Sequence, residues 1–207
     1  MPVPKPTLLI ACGALAREIL QVIQENDWTG LELECLPADL HNKPKLIPER
    51  VRAKIHTAKA TGKYGQILVI YGDCGTGGML DAVLEEEQVE RIPGAHCYEF
   101  FATPQLFEDL VERELGSFYL TDYLVRFFDR LVIQGLGIDR HPELKDLYFA
   151  NYKRMVYLAQ TDDEALEAMA EQAAGKLGLE YVYQKTGFGG LSSFINREPQ
   201  RDQPWLH

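Results

Sequence analysis

The chain lacks any apolar run near the ~20 residues that a membrane-spanning helix needs, and its Lys and Arg residues never cluster beyond a pair. The first absence speaks against a transmembrane protein. The second, with 21 basic against 31 acidic residues and a formal net charge of −10, speaks against nucleic-acid and acidic-membrane partners, because a phosphate surface repels such a chain. Cysteine is scarce as well. Four cysteines in 207 residues, with no CxxC and no HxxxH, are too few for a disulfide scaffold and supply no local ligand pair. The start, Met1-Pro2-Val3-Pro4-Lys5-Pro6-Thr7, leads into an apolar run too short for a secretory signal. A cytoplasmic protein with reduced thiols is therefore expected.

What is present reads as globular. The chain is 46% hydrophobic and 25% charged, ordinary composition for a packed domain, and residues 1–207 are expected to form a single α/β domain. Short aliphatic runs at 7–11, 31–36 and 66–71 alternate with helical spacing from residues 15, 47 and 79. That alternation predicts a largely parallel sheet flanked by helices on both faces. An extended piece follows at 89–92. The second half is expected to be more helical. Thr103-Pro104 reads as a cap and first-turn proline, and 120–136 carries a helical apolar stripe. Residues 154–159 read as a strand, and Thr161 with Glu164 as a capping box. A helix then runs to Leu177 and stops at Gly178, a last strand spans 179–184, and a glycine-rich loop at 186–190 leads into a loose C-terminus.

In open parallel sheets ligands bind beyond the carboxyl ends of the strands. Cys12 follows the first strand, Cys74 the third, and His96-Cys97 the extended piece. A helix start favours negative charge, so thiolates at such ends make good ligands or nucleophiles. The expected site is therefore a metal centre of Cys12, Cys74 and Cys97, with His96 as fourth ligand. Zinc comes first, since it accepts three thiolates and an imidazole; iron or a cobalt-containing cofactor also suits thiolates. His96 and Cys97 face the same ion only if the backbone turns between them. The competing account is that cysteine is a small core residue, and Cys35, inside the second strand, is given that reading.

The loop Gly72-Asp73-Cys74-Gly75-Thr76-Gly77-Gly78 offers a second kind of site. Glycines admit positive φ and close approach, and successive amides can form a nest for an anion. Asp73, Gly75, Thr76, Gly77 and Gly78 are thus candidate contacts to a phosphate or carboxylate, although neither a Walker pattern nor GxGxxG is present. Asp73 could equally cap the following helix. His41, after the second strand, is a further candidate for binding or proton transfer.

The segments Leu9-Ile10-Ala11-Cys12-Gly13-Ala14-Leu15, Leu36-Pro37-Ala38-Asp39-Leu40-His41-Asn42, Tyr71 to Gly78, His96-Cys97-Tyr98-Glu99, Asn151-Tyr152-Lys153-Arg154 and Thr186-Gly187-Phe188-Gly189 together resemble a family of unknown function, the one numbered 1638. Members of that family occur in methanogens and bacteria, often beside corrinoid-dependent methyltransferases. The resemblance implies a role near one-carbon metabolism and a corrinoid-related protein or small molecule as partner. It carries no catalytic residues. Three functions follow as expectations: a thiolate metal protein, accessory or enzymatic, linked to corrinoid-dependent methyl transfer; a small-anion or cofactor module built on the 72–78 loop; or an enzyme with Cys74 or Cys97 as nucleophile and His96 as base. A homo-oligomer is compatible with each.

Overall fold

Leu8, Leu9, Ile10 and Ala11 are all fully buried, as in a parallel strand covered on both faces, where apolar residues run without alternation. They belong to β1 (Thr7–Cys12), the centre of the first of two compact units, Met1–Cys97 with Leu191–His207 and Tyr98–Gly190. The structure is a computed structural model and describes residues 5–197. The glycine-rich loop expected at 186–190 gives way to helix from Gly189, and the loose extreme C-terminus expected from the sequence lies outside the described residues.

In the first unit β1 leads through one 3-10 turn into α1 (Ala16–Glu25), then β2 (Leu31–Leu36), α2 (Ile47–Thr61), β3 (Gln66–Ile70), α3 (Met79–Glu87) and the short β4 (Glu90–Arg91). All pairs are parallel and the strand order is β2-β1-β3-β4. Crossovers between parallel strands are right-handed almost without exception, so this order sends α1 to one face and α2 and α3 to the other. Gly62 closes α2 in the left-handed conformation with φ 61°, a conformation that glycine adopts without a Cβ clash.

The second unit contains α4 (Pro104–Arg113), β5 (Ser117–Thr121), α5 (Asp122–Arg126), a π-helical turn at Asp129–Gln134, α6 (Glu143–Phe149), β6 (Arg154–Ala159), α7 (Glu164–Leu177) and β7 (Glu180–Lys185). α8 (Gly189–Arg197) follows, its residues from Leu191 counted with the first unit. The strands form a second parallel sheet in the order β5-β6-β7. Successive residues of β6 point to opposite faces: Met155, Tyr157 and Ala159 join one apolar cluster, Val156 and Leu158 another.

The α/β class, the parallel pairing and the helical flanks agree with the sequence reading. The expected single sheet is instead two, because nothing in the composition near residue 97 marks a break between successive strand–helix units. Residues 117–121 form a strand, and helix begins only at Asp122; the apolar run through Phe118, Tyr119 and Leu120 suits either period, and Thr121 ends it by accepting from the Leu124 amide. The capping residue of α7 is Asp163, which accepts from the Ala165 and Leu166 amides. Thr161 instead donates its hydroxyl to Asp122.

Candidate functional site

β1 has β2 on one side and β3 on the other, so the chain leaves β1 in one direction and returns on its far side. The loops beyond the carboxyl ends of β1 and β3 diverge at this reversal and leave a crevice, the usual ligand position in such sheets. Cys12 is the last residue of β1 and is buried. Tyr71, directly after β3, is 1% exposed. Cys74 follows three residues later in a loop with positive φ at Cys74 (49°), Gly75 (81°), Gly77 (64°) and Gly78 (83°).

Cys97 arrives from outside the sheet. The Asp73 amide donates to Gly94 O at 3.1 Å and the Cys74 amide to Ala95 O at 2.7 Å, tying residues 94–95 to the loop after β3. A Cβ at Gly72 would stand 2.9 Å from the His96 carbonyl carbon, closer than real Cβ contacts come. Only glycine admits this approach. Cys97 opens a 3-10 turn, Cys97–Phe100, so the His96-Cys97 pair sits where the backbone turns rather than in a strand.

Three sulfurs from three parts of the chain thus converge, and their surroundings differ. Burial pushes the Cys12 thiol up to about 11, opposed by the Ala14 amide and the nearby Tyr71 hydroxyl. The Cys97 thiol hydrogen-bonds to the Cys74 sulfur, and with the Cys97 and Gly72 amides it holds the Cys74 thiol below its ordinary value despite burial. That partnership and burial push Cys97 well above the thiol range. Of the two, Cys74 is the thiol that gives up its proton first.

The Tyr71 hydroxyl has no hydrogen-bond partner. Cys12 is its near neighbour without meeting it in hydrogen-bond geometry, and Cys74 and Cys97 are also within electrostatic reach. Burial and these sulfurs push the phenol far above its ordinary range. Sequence reading passed over Tyr71; the available signal was a phenol closing the aliphatic run Ile67-Leu68-Val69-Ile70.

The glycine loop is arranged differently from an open anion nest. Asp73 fills it: its carboxylate accepts from the Gly77 amide at 3.0 Å, the Gly78 amide at 2.8 Å and the Thr76 hydroxyl at 2.7 Å. These donors hold the Asp73 carboxyl down at about 2, the Gly78 amide contributing most. Gly77, Gly78 and Thr76, expected to receive an external anion, are directed at the loop's own carboxylate. An aspartate three residues after a strand both fits the nest and carries the charge the nest selects, which sequence spacing alone does not reveal. Gly75 has φ 81°, and a Cβ there would stand 3.7 Å from the Pro44 ring.

His41 is exposed, and partial desolvation followed by the nearby His96 holds its imidazole below the ordinary value. The largest influences on the three sulfurs come from one another, from burial and backbone amides, and from Tyr71, Cys35 and Asp73, rather than from His96. Cys35, read from sequence as core packing, is exposed on the edge strand β2. Among the described residues, no group of three or more His, Cys, Asp or Glu side chains stands in a geometry ready to hold a metal ion. Among them too, no helix is long and apolar enough to cross a membrane.

Fold and site together define an α/β protein with a thiol cluster at a topological switch point. The chain belongs to the family described as Protein of unknown function (DUF1638), which it matches over residues 35–195. No curated protein matches it. Among solved structures it is similar to ornithine carbamoyltransferase from Pyrococcus furiosus at 11% identity and TM-score 0.26, covering 88% of this chain. The chain spans 55% of that enzyme's length.

Proposed function

We propose that the Cys12–Cys74–Cys97 cluster binds a soft metal ion, zinc first, with three thiolates as ligands and a fourth position for His96, a water or a substrate atom. The observation that carries this reading is Cys74. It adopts φ 49° in a loop where the other positive-φ positions, 75, 77 and 78, are glycine. A side chain there costs about 1–2 kcal/mol, and strain of this kind concentrates at functional positions. Cys12 and Cys97 meet that thiol from elements distant in sequence, which core packing does not require.

Backbone amides support the same reading. Ala14 serves Cys12, Gly72 and Cys97 serve Cys74, and each favours the thiolate. Amide donors around ligating sulfurs are how a protein orients and tunes thiolate ligands. Coordination would replace the Cys74–Cys97 hydrogen bond by two metal–sulfur bonds, with small rotations of the side chains and loss of the thiol protons to solvent. Three thiolates suit zinc, and iron or a cobalt-containing cofactor also accepts them.

In this reading the chemistry serves corrinoid-dependent methyl transfer, as the family resemblance implies, with a corrinoid-related protein or small molecule as partner and the cytoplasm as its location. There a thiolate-bound metal would act as a Lewis acid or deprotonate a bound thiol. The test is metal content after expression with zinc, iron and cobalt supplied. One ion per chain, lost on joint Cys12→Ser and Cys74→Ser substitution, supports the reading; metal-free wild type under all three supplies overturns it.

A second reading is favoured by one observation, the Cys97 hydrogen bond that holds the Cys74 thiol below its ordinary value. It makes Cys74 the more nucleophilic thiol at neutral pH and a candidate for covalent catalysis. Loss of a methyl-transfer or hydrolytic activity on single alkylation of Cys74, with no metal bound, would favour this account over the first.

A further inference from the structure

Tyr71 places a buried phenol beside the three thiols. Its side chain is 1% exposed, its hydroxyl has no hydrogen-bond partner, and its charged or chargeable neighbours are the sulfurs of Cys12, Cys74 and Cys97. A buried hydroxyl left unpaired costs about 1–3 kcal/mol relative to a paired one. Phenylalanine would fill the same space without that cost, so packing alone does not account for the oxygen.

We propose that Tyr71 is a positioning residue of the thiolate centre: its O–H donates to the Cys12 sulfur once that sulfur is a metal-bound thiolate. The inference rests on the metal-thiolate reading above. Cys12 is the least exposed of the three cysteines, at 6%, and it ends the strand β1 beside β3, the strand that Tyr71 directly follows. A neutral thiol is a weak acceptor, whereas a thiolate keeps lone pairs for both a metal and a donor. On binding, the Cys12 proton leaves to solvent and one sulfur lone pair bonds the ion. Another accepts from Tyr71, beside the Ala14 amide that already serves this sulfur. Two donors on one sulfur withdraw charge from it, which stabilises a buried thiolate and lowers its donation to the metal.

The experiment is a cobalt(II) titration of the reduced full chain, wild type against Tyr71→Phe, followed through the sulfur-to-cobalt charge-transfer band. Loss of an outer partner of a ligand lowers metal affinity by roughly 10–100-fold, and that is the decrease expected. The band should move to longer wavelength, because a sulfur without its donor releases charge more readily. Cys12→Ser and the double variant Cys12→Ser/Tyr71→Phe complete a cycle, in which the hydroxyl matters only while the sulfur is present. The thermal midpoint of metal-free Tyr71→Phe should equal or exceed that of wild type. Unchanged affinity and an unmoved band in Tyr71→Phe overturn the proposal while leaving the metal site standing. Wild type that binds no cobalt overturns both.

Discussion

A Cβ placed on Gly72 would lie 2.9 Å from the carbonyl carbon of His96, with the His96 nitrogen and Cα each at 3.0 Å. Every atom in the way is backbone, so neither segment can yield by rotating a side chain. The contact presses residues 94–97 against the end of β3 and keeps the Cys97 thiol on the Cys74 sulfur. Gly72→Ala should therefore destabilise the protein by about 1–3 kcal/mol, the range for overpacking, read from urea denaturation. It should also raise the Cys74 thiol by removing its donor. Stability within error of wild type would show that the two segments are not in firm contact.

Cys74 is the residue where stability and function are expected to conflict. Cys74→Gly removes a Cβ from a left-handed backbone and should raise the stability of the metal-free protein by about 1 kcal/mol, while eliminating metal binding. A calorimetric melt of reduced, metal-free protein checks this. A large loss of stability would mean that the thiol serves as core packing.

The hydrogen bond from Cys97 to Cys74 predicts a direction for reactivity. Cys74 is held low first by the Cys97 thiol and then by amides, so Cys97→Ala should move the Cys74 thiol upward. Iodoacetamide labelling of Cys74 in metal-free protein should slow near neutral pH, with its rate–pH profile shifted to higher pH. An unshifted profile would assign the depression to the amides alone.

Asp73 predicts an acid transition. Its carboxyl is lowered to about 2 in the folded chain, from an ordinary value of 3.8, so its contribution is fully present above about pH 4 and is lost as pH falls through about 2. The group is partly exposed, and solvent screening limits the gain. Asp73→Asn should cost about 1 kcal/mol at neutral pH and flatten the stability–pH curve between pH 4 and 2. An unchanged curve would remove Asp73 from the loop's support.

In the second unit, Asp122 is 2% exposed and accepts from Tyr157 Oη at 2.8 Å, the Gln160 amide at 2.9 Å and the Thr161 amide at 3.1 Å. It joins the ends of β5 and β6. Asp122→Ala strands these donors and should cost about 3 kcal/mol, while Asp122→Asn, which keeps the Tyr157 and Gln160 acceptors, should cost less. Chemical denaturation of both variants checks the order.

Strands whose residues are apolar on both faces, such as β1 and β6, were legible because burial on both sides writes an unbroken apolar run. The end positions of Cys12 and Cys74 followed from those strands. β5 was not legible, because Phe118, Tyr119 and Leu120 continue into the apolar face of α5 and mask the change of period. The nest-filling role of Asp73 depends on loop torsions, which residue types only suggest. Tyr71 was hidden for a different reason: a tyrosine closing a strand carries no mark of whether its hydroxyl finds a partner, and only three-dimensional packing reveals that it does not.

The central claim is that one metal ion joins Cys12, Cys74 and Cys97. The most direct measurement combines zinc titration of the reduced chain with alkylation and mass mapping of all four cysteines. The account predicts one zinc per chain, with Cys74 and Cys97 protected by zinc, Cys12 unlabelled, and exposed Cys35 alkylated throughout. Failure to bind zinc, iron or cobalt, or metal bound while Cys74 and Cys97 label as fast as in the metal-free protein, would contradict it.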